Sequence, residues 1–82
     1  MYETVQENIR VLAEFENGKV TPLLFDWKAI RHTVRKVNLL HFRAEGRKRL
    51  SLFSVSTDRG EYLISYDPIS HLWRLEEVYL EG

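Results

Sequence analysis

The sequence predicts an all-β domain: a six-stranded antiparallel meander curled into a small, partly open barrel. Apolar and polar residues alternate over much of the chain, as half-buried strands require. Turn signals recur at short intervals, and Asn17-Gly18 is a favoured pair for a tight hairpin. With 82 residues, the chain is long enough for a single core.

The N-terminal residues leave two alternatives open. Val5, Ile9 and Leu12 have helical spacing, and Thr4 is suited to cap a first helical turn. We therefore divide the chain into residues 1–8, an N-terminal arm or short helical turn, and residues 9–82, a single β domain.

The first hairpin follows from alternation on both sides of its turn. Apolar residues from Ile9 to Phe15 predict the first strand, and Val20 to Trp27 the second. Pro22 has no N–H to give to a ladder, so it must lie at an edge, at a bulge or near the strand's start. Lys28-Ala29 then reverses the chain.

The third strand, about residues 30–43, changes phase once. Ile30, His32 and Val34 share one face, whereas Val37 and Leu39 fall on the other. One extra residue restores the phase, which predicts a β-bulge at Arg35-Lys36.

Three further turns separate the remaining strands, and a second phase break before Val78 indicates another bulge, at Glu76-Glu77. The turns are Ala44-Glu45-Gly46, Asp58-Arg59-Gly60 and Asp67-Pro68, with strands at about 48–56, 61–66 and 72–80. The expected core is Val11, Phe15, Leu24, Val34, Val37, Leu39, Leu52, Ile64, Tyr66, Trp73, Leu75 and Val78.

Composition excludes several classes of function. The chain has no cysteine, which rules out disulfides and thiolate metal sites. Residues Met1 to Arg10 have neither the basic nor the apolar region of a signal peptide, and the longest apolar runs, such as Leu23 to Phe25, are far too short to span a membrane. We therefore expect a cytoplasmic protein.

No catalytic or metal-binding pattern stands out. His32, His41 and His71 lack the spacing of a ligand set, and a surface or half-buried position is expected for each. No serine lies in a nucleophile elbow, and the glycines are single turn residues rather than a phosphate loop. The adjacent Glu76 and Glu77 would point to opposite faces of a regular strand. We expect no catalytic residue, no metal, no cofactor and no small-molecule substrate.

Charge is the most informative feature of the composition. The net charge is zero, with twelve basic and twelve acidic residues. Residues 28–49 hold eight basic residues and one acid, a net +7, so the remainder carries four minus eleven, or −7. The candidate binding residues are Lys28, Arg31, Arg35, Lys36, Arg43, Arg47, Lys48 and Arg49.

Two functions suit this charge separation. The first is a non-enzymatic interaction or accessory module that binds a protein partner, or a second copy of itself, through an exposed edge strand. The alternative is weak, sequence-independent nucleic-acid binding by the basic 28–49 hairpin, with Phe42, Phe53 and Trp27 as stacking rings. A third reading needs no partner, because the cations can pair with neighbouring acidic strands and keep the edge soluble.

Part of the strand pattern resembles a group of small bacterial β domains of unknown function. The resemblance lies in Phe25-Asp26-Trp27-Lys28, Val34, Val37 and the segment Trp73 to Tyr79. The group follows F-x-W-[RK]-G-R-x-Y-x-V-x-x-V and closes on W-R-L-E-x-V-Y, a match that covers most of residues 11–82. It is associated with DNA-damage-tolerance polymerase-like proteins, which favours the nucleic-acid alternative. The departures are Ala29, Ile30 and His32, which replace Gly, Arg and Tyr.

Overall fold

Six antiparallel strands account for most of residues 1–80, which are the residues that the computed structural model describes. Each strand pairs with the next, and the last pairs with the first, so the meander closes into a ring. The predicted all-β class and strand number are confirmed. No described residue belongs to a helix that could cross a membrane. The strands are β1 (Tyr2–Glu16), β2 (Lys19–Trp27), β3 (Ile30–Glu45), β4 (Lys48–Thr57), β5 (Gly60–Tyr66) and β6 (Trp73–Tyr79).

Tight two-residue turns set the register of the first two hairpins. Asn17 and Gly18 have φ of 52° and 75°, and Lys28 and Ala29 have φ of 53° and 61°. Positive φ at both central residues gives a turn whose twist matches that of the flanking strands. The turn between β3 and β4 lies at Gly46-Arg47, later than expected, so β3 extends to Glu45.

The N-terminal residues form a strand rather than the helical alternative. Residues from Tyr2 to Ile9 pair with β6, and this pairing closes the ring. The register shifts between Thr4 and Glu7, where Gln6 adopts a left-handed φ of 55°. Satisfying the backbone groups along β6 therefore outweighs the local helical spacing.

The predicted bulges are present, and the β3–β4 pairing contains one more that was not foreseen. The β3–β4 register shifts between Val34 and Lys36, as expected, and again between Val37 and Leu39. The β5–β6 register shifts at Glu76, which is the extra residue on β6, also as expected. The unforeseen shift at Asn38 turns Leu39 outward, to the opposite face from the one predicted.

The core lies inside the ring. Its buried cluster is Phe25, Phe53, Val55, Tyr62, Ile64, Tyr66, Trp73 and Leu75. Ile64, Tyr66, Trp73 and Leu75 were expected there, and the predicted Val11, Val34, Val37 and Val78 pack against the cluster.

Two predicted core residues are exposed. Leu39 is 56% exposed because of the Asn38 bulge. Phe15 is 59% exposed because β1 extends past its last partner on β6, Trp73, although its ring still touches Tyr66. Conversely, Phe53, expected as an exposed stacking ring, is buried in the core.

Candidate partner-binding site

The ring of strands is staggered, and this leaves several stretches of strand with a neighbouring strand on one side only. β2 and β3 pair only between Leu24–Trp27 and Ile30–Thr33. Beyond Thr33, residues 34–45 of β3 pair with β4 alone among the described residues. We call the side of residues 34–45 that faces away from β4 the basic edge.

A regular stretch of the basic edge carries free backbone groups. The register with β4 runs without interruption from Leu39 to Glu45. In an antiparallel ladder, directly opposite residues alternate between pairs that exchange backbone hydrogen bonds and pairs that do not. Counted from the two-residue turn, Glu45 and Lys48 form the first hydrogen-bonded pair. This alternation directs the backbone N–H and C=O groups of Leu40, Phe42 and Ala44 away from β4.

The same three residues present an apolar face. Leu40 and Phe42 are opposite Phe53 and Ser51, so they lie on the inner side of the sheet. They are nevertheless 43% and 49% exposed, because no strand covers them where β2 has turned away. The guanidinium of Arg49 lies 4.0 Å from the centre of the Phe42 ring.

Half of the eight predicted basic residues are occupied by contacts within the chain. Lys28 lies in the β2–β3 turn, with its Nζ 4.8 Å from the centre of the Trp27 ring. The Arg31 Nε donates to Asp26 at 3.0 Å. Arg43 and Lys48, further along the hairpin, also contact acidic side chains.

Arg43 and Lys48 contact acids on the outer face of the sheet. Arg43 lies 3.7 Å from Glu45 and 3.9 Å from the buried Glu76. Lys48 donates to Asp67 at 3.0 Å. The Ile69 amide and Lys48 together lower the pKa of Asp67 to about 2, since both bind its carboxylate.

The other four basic residues accompany the basic edge. Arg35 and Lys36 lie at the first bulge, Arg47 in the turn at the far end, and Arg49 beside Phe42. None of the four is within ion-pair distance of an acid among residues 1–80. The structure therefore does not gather all eight residues into one patch, but places four beside the basic edge.

Sequence reasoning missed a polar cluster on the outer face. The Ser65 hydroxyl donates to Glu76 at 2.6 Å, and both side chains are almost fully buried. The guanidinium groups of Arg43 and Arg74 lie about 4 Å from the same carboxylate. The bulge explains the arrangement, because the extra residue points Glu76 to the outer face beside Glu77. This burial makes the pair a structural contact rather than a group open to substrate.

His32 departs from the expected surface or half-buried position, since only 4% of it is exposed. Its ring stacks on Phe25 at 4.8 Å and meets the edge of Tyr62 at 5.0 Å. Neither ring nitrogen has a hydrogen-bond partner among the described residues. Burial, with a further contribution from Arg59, lowers the pKa of His32.

The three histidines remain apart in the fold. His41 is exposed on β3, and the His71 Nδ1 lies 2.8 Å from the Tyr66 hydroxyl at the β5–β6 turn. Within residues 1–80, no three histidine or carboxylate side chains come close enough to hold a metal ion. The basic edge is thus the feature with the clearest capacity to bind another molecule.

Comparison with known proteins gives no match, whether to family models, to curated protein sequences or to solved structures.

Proposed function

We propose that this domain is a non-enzymatic protein-interaction module that binds an extended polypeptide segment as an added strand on its basic edge. The observation that carries the proposal is the one-sided pairing of β3 residues 34–45. Strand addition draws its affinity from main-chain hydrogen bonds and its specificity from alternate side chains. Both elements are available at Leu40, Phe42 and Ala44.

The residues of the basic edge are better suited to binding a strand than to preventing strand addition. Folded proteins blunt free edges with bulges, charges and prolines. The bulges at Arg35 and Asn38 do so in the first part of the basic edge. The seven residues from Leu39 to Glu45 have no bulge, and this is a typical length for a strand partner. Leu40 and Phe42 add an exposed apolar face that solubility alone does not require.

A peptide-display selection tests this function, with Ala44→Pro and Ala44→Ser as a matched pair. Proline at position 44 removes an N–H from the free edge and none from the β4 ladder, whereas serine keeps the N–H. We expect selected peptides to bind the wild type and Ala44→Ser, and to lose at least about tenfold in affinity for Ala44→Pro. Selected peptides that bind both variants equally would refute strand addition, as would a selection without binders.

Nucleic-acid binding by the basic segment is a second candidate. It is favoured by the Arg49–Phe42 stack beside Arg47, a cation–aromatic group at the tip of the hairpin. The pairing of Arg31, Arg43 and Lys48 with acids favours the protein partner instead. A fluorescence titration with single- and double-stranded oligonucleotides at about 50 mM salt distinguishes the two. Tight binding there that weakens on Arg47→Glu would support the nucleic-acid function.

A further inference from the structure

We infer that the segment bound by the basic edge comes from a second copy of this chain, and that it is the acidic end of β1. This inference rests on the proposed strand addition. It identifies the partner as residues 11–16 of β1, with Glu14 and Glu16.

This segment of β1 is itself unpaired on one side. The pairing of β1 with β6 ends at Ile9, opposite Trp73. From Arg10 to Glu16 the only neighbouring strand is β2, among the described residues. We call the side of residues 11–16 that faces away from β2 the acidic edge. Pro22 is compatible with this arrangement. It lies opposite Ala13 at a pair that exchanges no backbone hydrogen bonds, so the β1–β2 ladder does not need the N–H that proline lacks.

The faces of the two edges match when they pair. Counted from the Asn17-Gly18 turn, the free backbone groups of the acidic edge belong to Ala13 and Phe15. The Phe15 side chain lies on the inner side, where it touches Tyr66. On the basic edge, the free groups also belong to inner-side residues. Because directly opposite residues share a face, an antiparallel pair between the edges aligns the apolar sides.

One register also aligns the charges. If Phe42 is opposite Phe15 of the second copy, then Arg43 is opposite Glu14 and His41 is opposite Glu16. The two exposed phenylalanines then cover one another, and Ala44 is opposite Ala13. Opposite charges across a strand pair stabilise it, whereas two basic edges facing each other would repel.

The net charge of the chain permits such self-association. It is zero, with an isoelectric point near 6.8, so that copies do not repel one another as a whole. A single contact between six or seven residues is small compared with the roughly 1,200–2,000 Å² that stable interfaces bury. In a two-fold dimer this contact forms twice, because the basic edge of each copy pairs with the acidic edge of the other. We therefore expect a dimer.

Charge exchange between the two edges tests the inference. One variant is Glu16→Lys, and the other is His41→Glu, the two positions that the register places opposite each other. Both side chains are exposed and make no hydrogen bond or ion pair among residues 1–80. Light scattering over about 1–500 µM at low salt should give a wild-type mass of twice 9.8 kDa at the upper end. Each variant alone should raise the dimer dissociation constant at least about tenfold.

Mixing the two variants should restore the dimer, because the lysine at position 16 of one copy then lies opposite the glutamate at position 41 of the other. Glu3→Lys is the control, since it changes the net charge by as much as Glu16→Lys at an exposed site on neither edge. It should dimerise as the wild type does. A dimer that neither variant weakens, or a mixture that stays monomeric, would overturn the inference.

The inference and the proposed function fail separately. A wild-type chain that stays at 9.8 kDa at every concentration but binds displayed peptides keeps the proposed function and overturns the second-copy partner. A monomer that binds no peptide overturns both.

Discussion

The two sides of the barrel contain similar residues and bury them very differently. On the closed side, β4, β5 and β6 have neighbours on both edges, and Phe53, Ile64 and Leu75 are at most 1% exposed. On the open side, Leu40 and Phe42 have the same inner orientation and are nearly half exposed. The number of neighbouring strands, rather than the residue type, therefore separates the structural side of this domain from the side available for binding.

The largest expected effect is on the closed side. Phe53→Ala should lower the free energy of unfolding by about 3–5 kcal/mol, because it leaves a cavity in the core. Phe42→Ala removes the same side chain from the open side and should lower it by less than about 1 kcal/mol. Urea unfolding of both variants measures the difference. Equal losses would mean that Phe42 is packed in a core and that the two sides are not distinct.

The buried contact between Ser65 and Glu76 should give the next largest effect. Ser65→Ala removes the hydroxyl donor from a buried carboxylate and should lower the free energy of unfolding by about 1–3 kcal/mol. Ser54→Ala is the matched control, since Ser54 is half-buried on the neighbouring strand and makes no side-chain hydrogen bond among the described residues. Its loss should stay below about 0.5 kcal/mol. The two variants are compared by thermal or urea unfolding.

His32 should give the closed side a pH dependence. Burial lowers its pKa in the folded state, so the unfolded chain binds a proton more readily. Its contribution to stability is therefore complete above pH 6.5, the ordinary histidine value, and is lost as the pH falls below it. Asp58 and Asp26 oppose this shift and Arg59 reinforces it.

His32→Phe keeps an aromatic ring on Phe25 and removes both unpartnered nitrogens. When the pH is lowered from about 7.5 to about 5.5, across the ordinary histidine pKa, we expect this variant to lose less free energy of unfolding than the wild type. Identical losses over that interval would show that His32 does not titrate with unfolding.

The sequence predicts the closed side better than the open side. Alternation and turn residues are local, and they identified six strands, the bulge at Arg35 and the bulge at Glu76. The second bulge, at Asn38, leaves no visible break in the alternation of apolar and polar residues. Leu39 and Leu40 are both apolar, so either of them could face the core. That ambiguity misplaced Leu39 in the core.

The candidate site depends on where strands stop pairing, which is a property of the whole barrel. The basic segment was recognisable from composition, but its division between ion-paired residues and the four beside the basic edge was not. Asp26 and Glu76 come from other strands and Asp67 from the β5–β6 turn, and these acids reach Arg31, Arg43 and Lys48, respectively, only in the fold. Likewise, only the end of the β1–β6 pairing at Ile9 reveals the acidic edge.

Backbone amide exchange tests the central claim, an open edge on β3, most directly. In dilute protein, the amides of Leu40, Phe42 and Ala44 should exchange at least about a hundredfold faster than those of Phe53 and Ile64. They should become protected at high concentration, together with the amides of Ala13 and Phe15, as the second copy binds. Amides at Leu40, Phe42 and Ala44 that are as protected in dilute protein as those of the core would contradict the open edge.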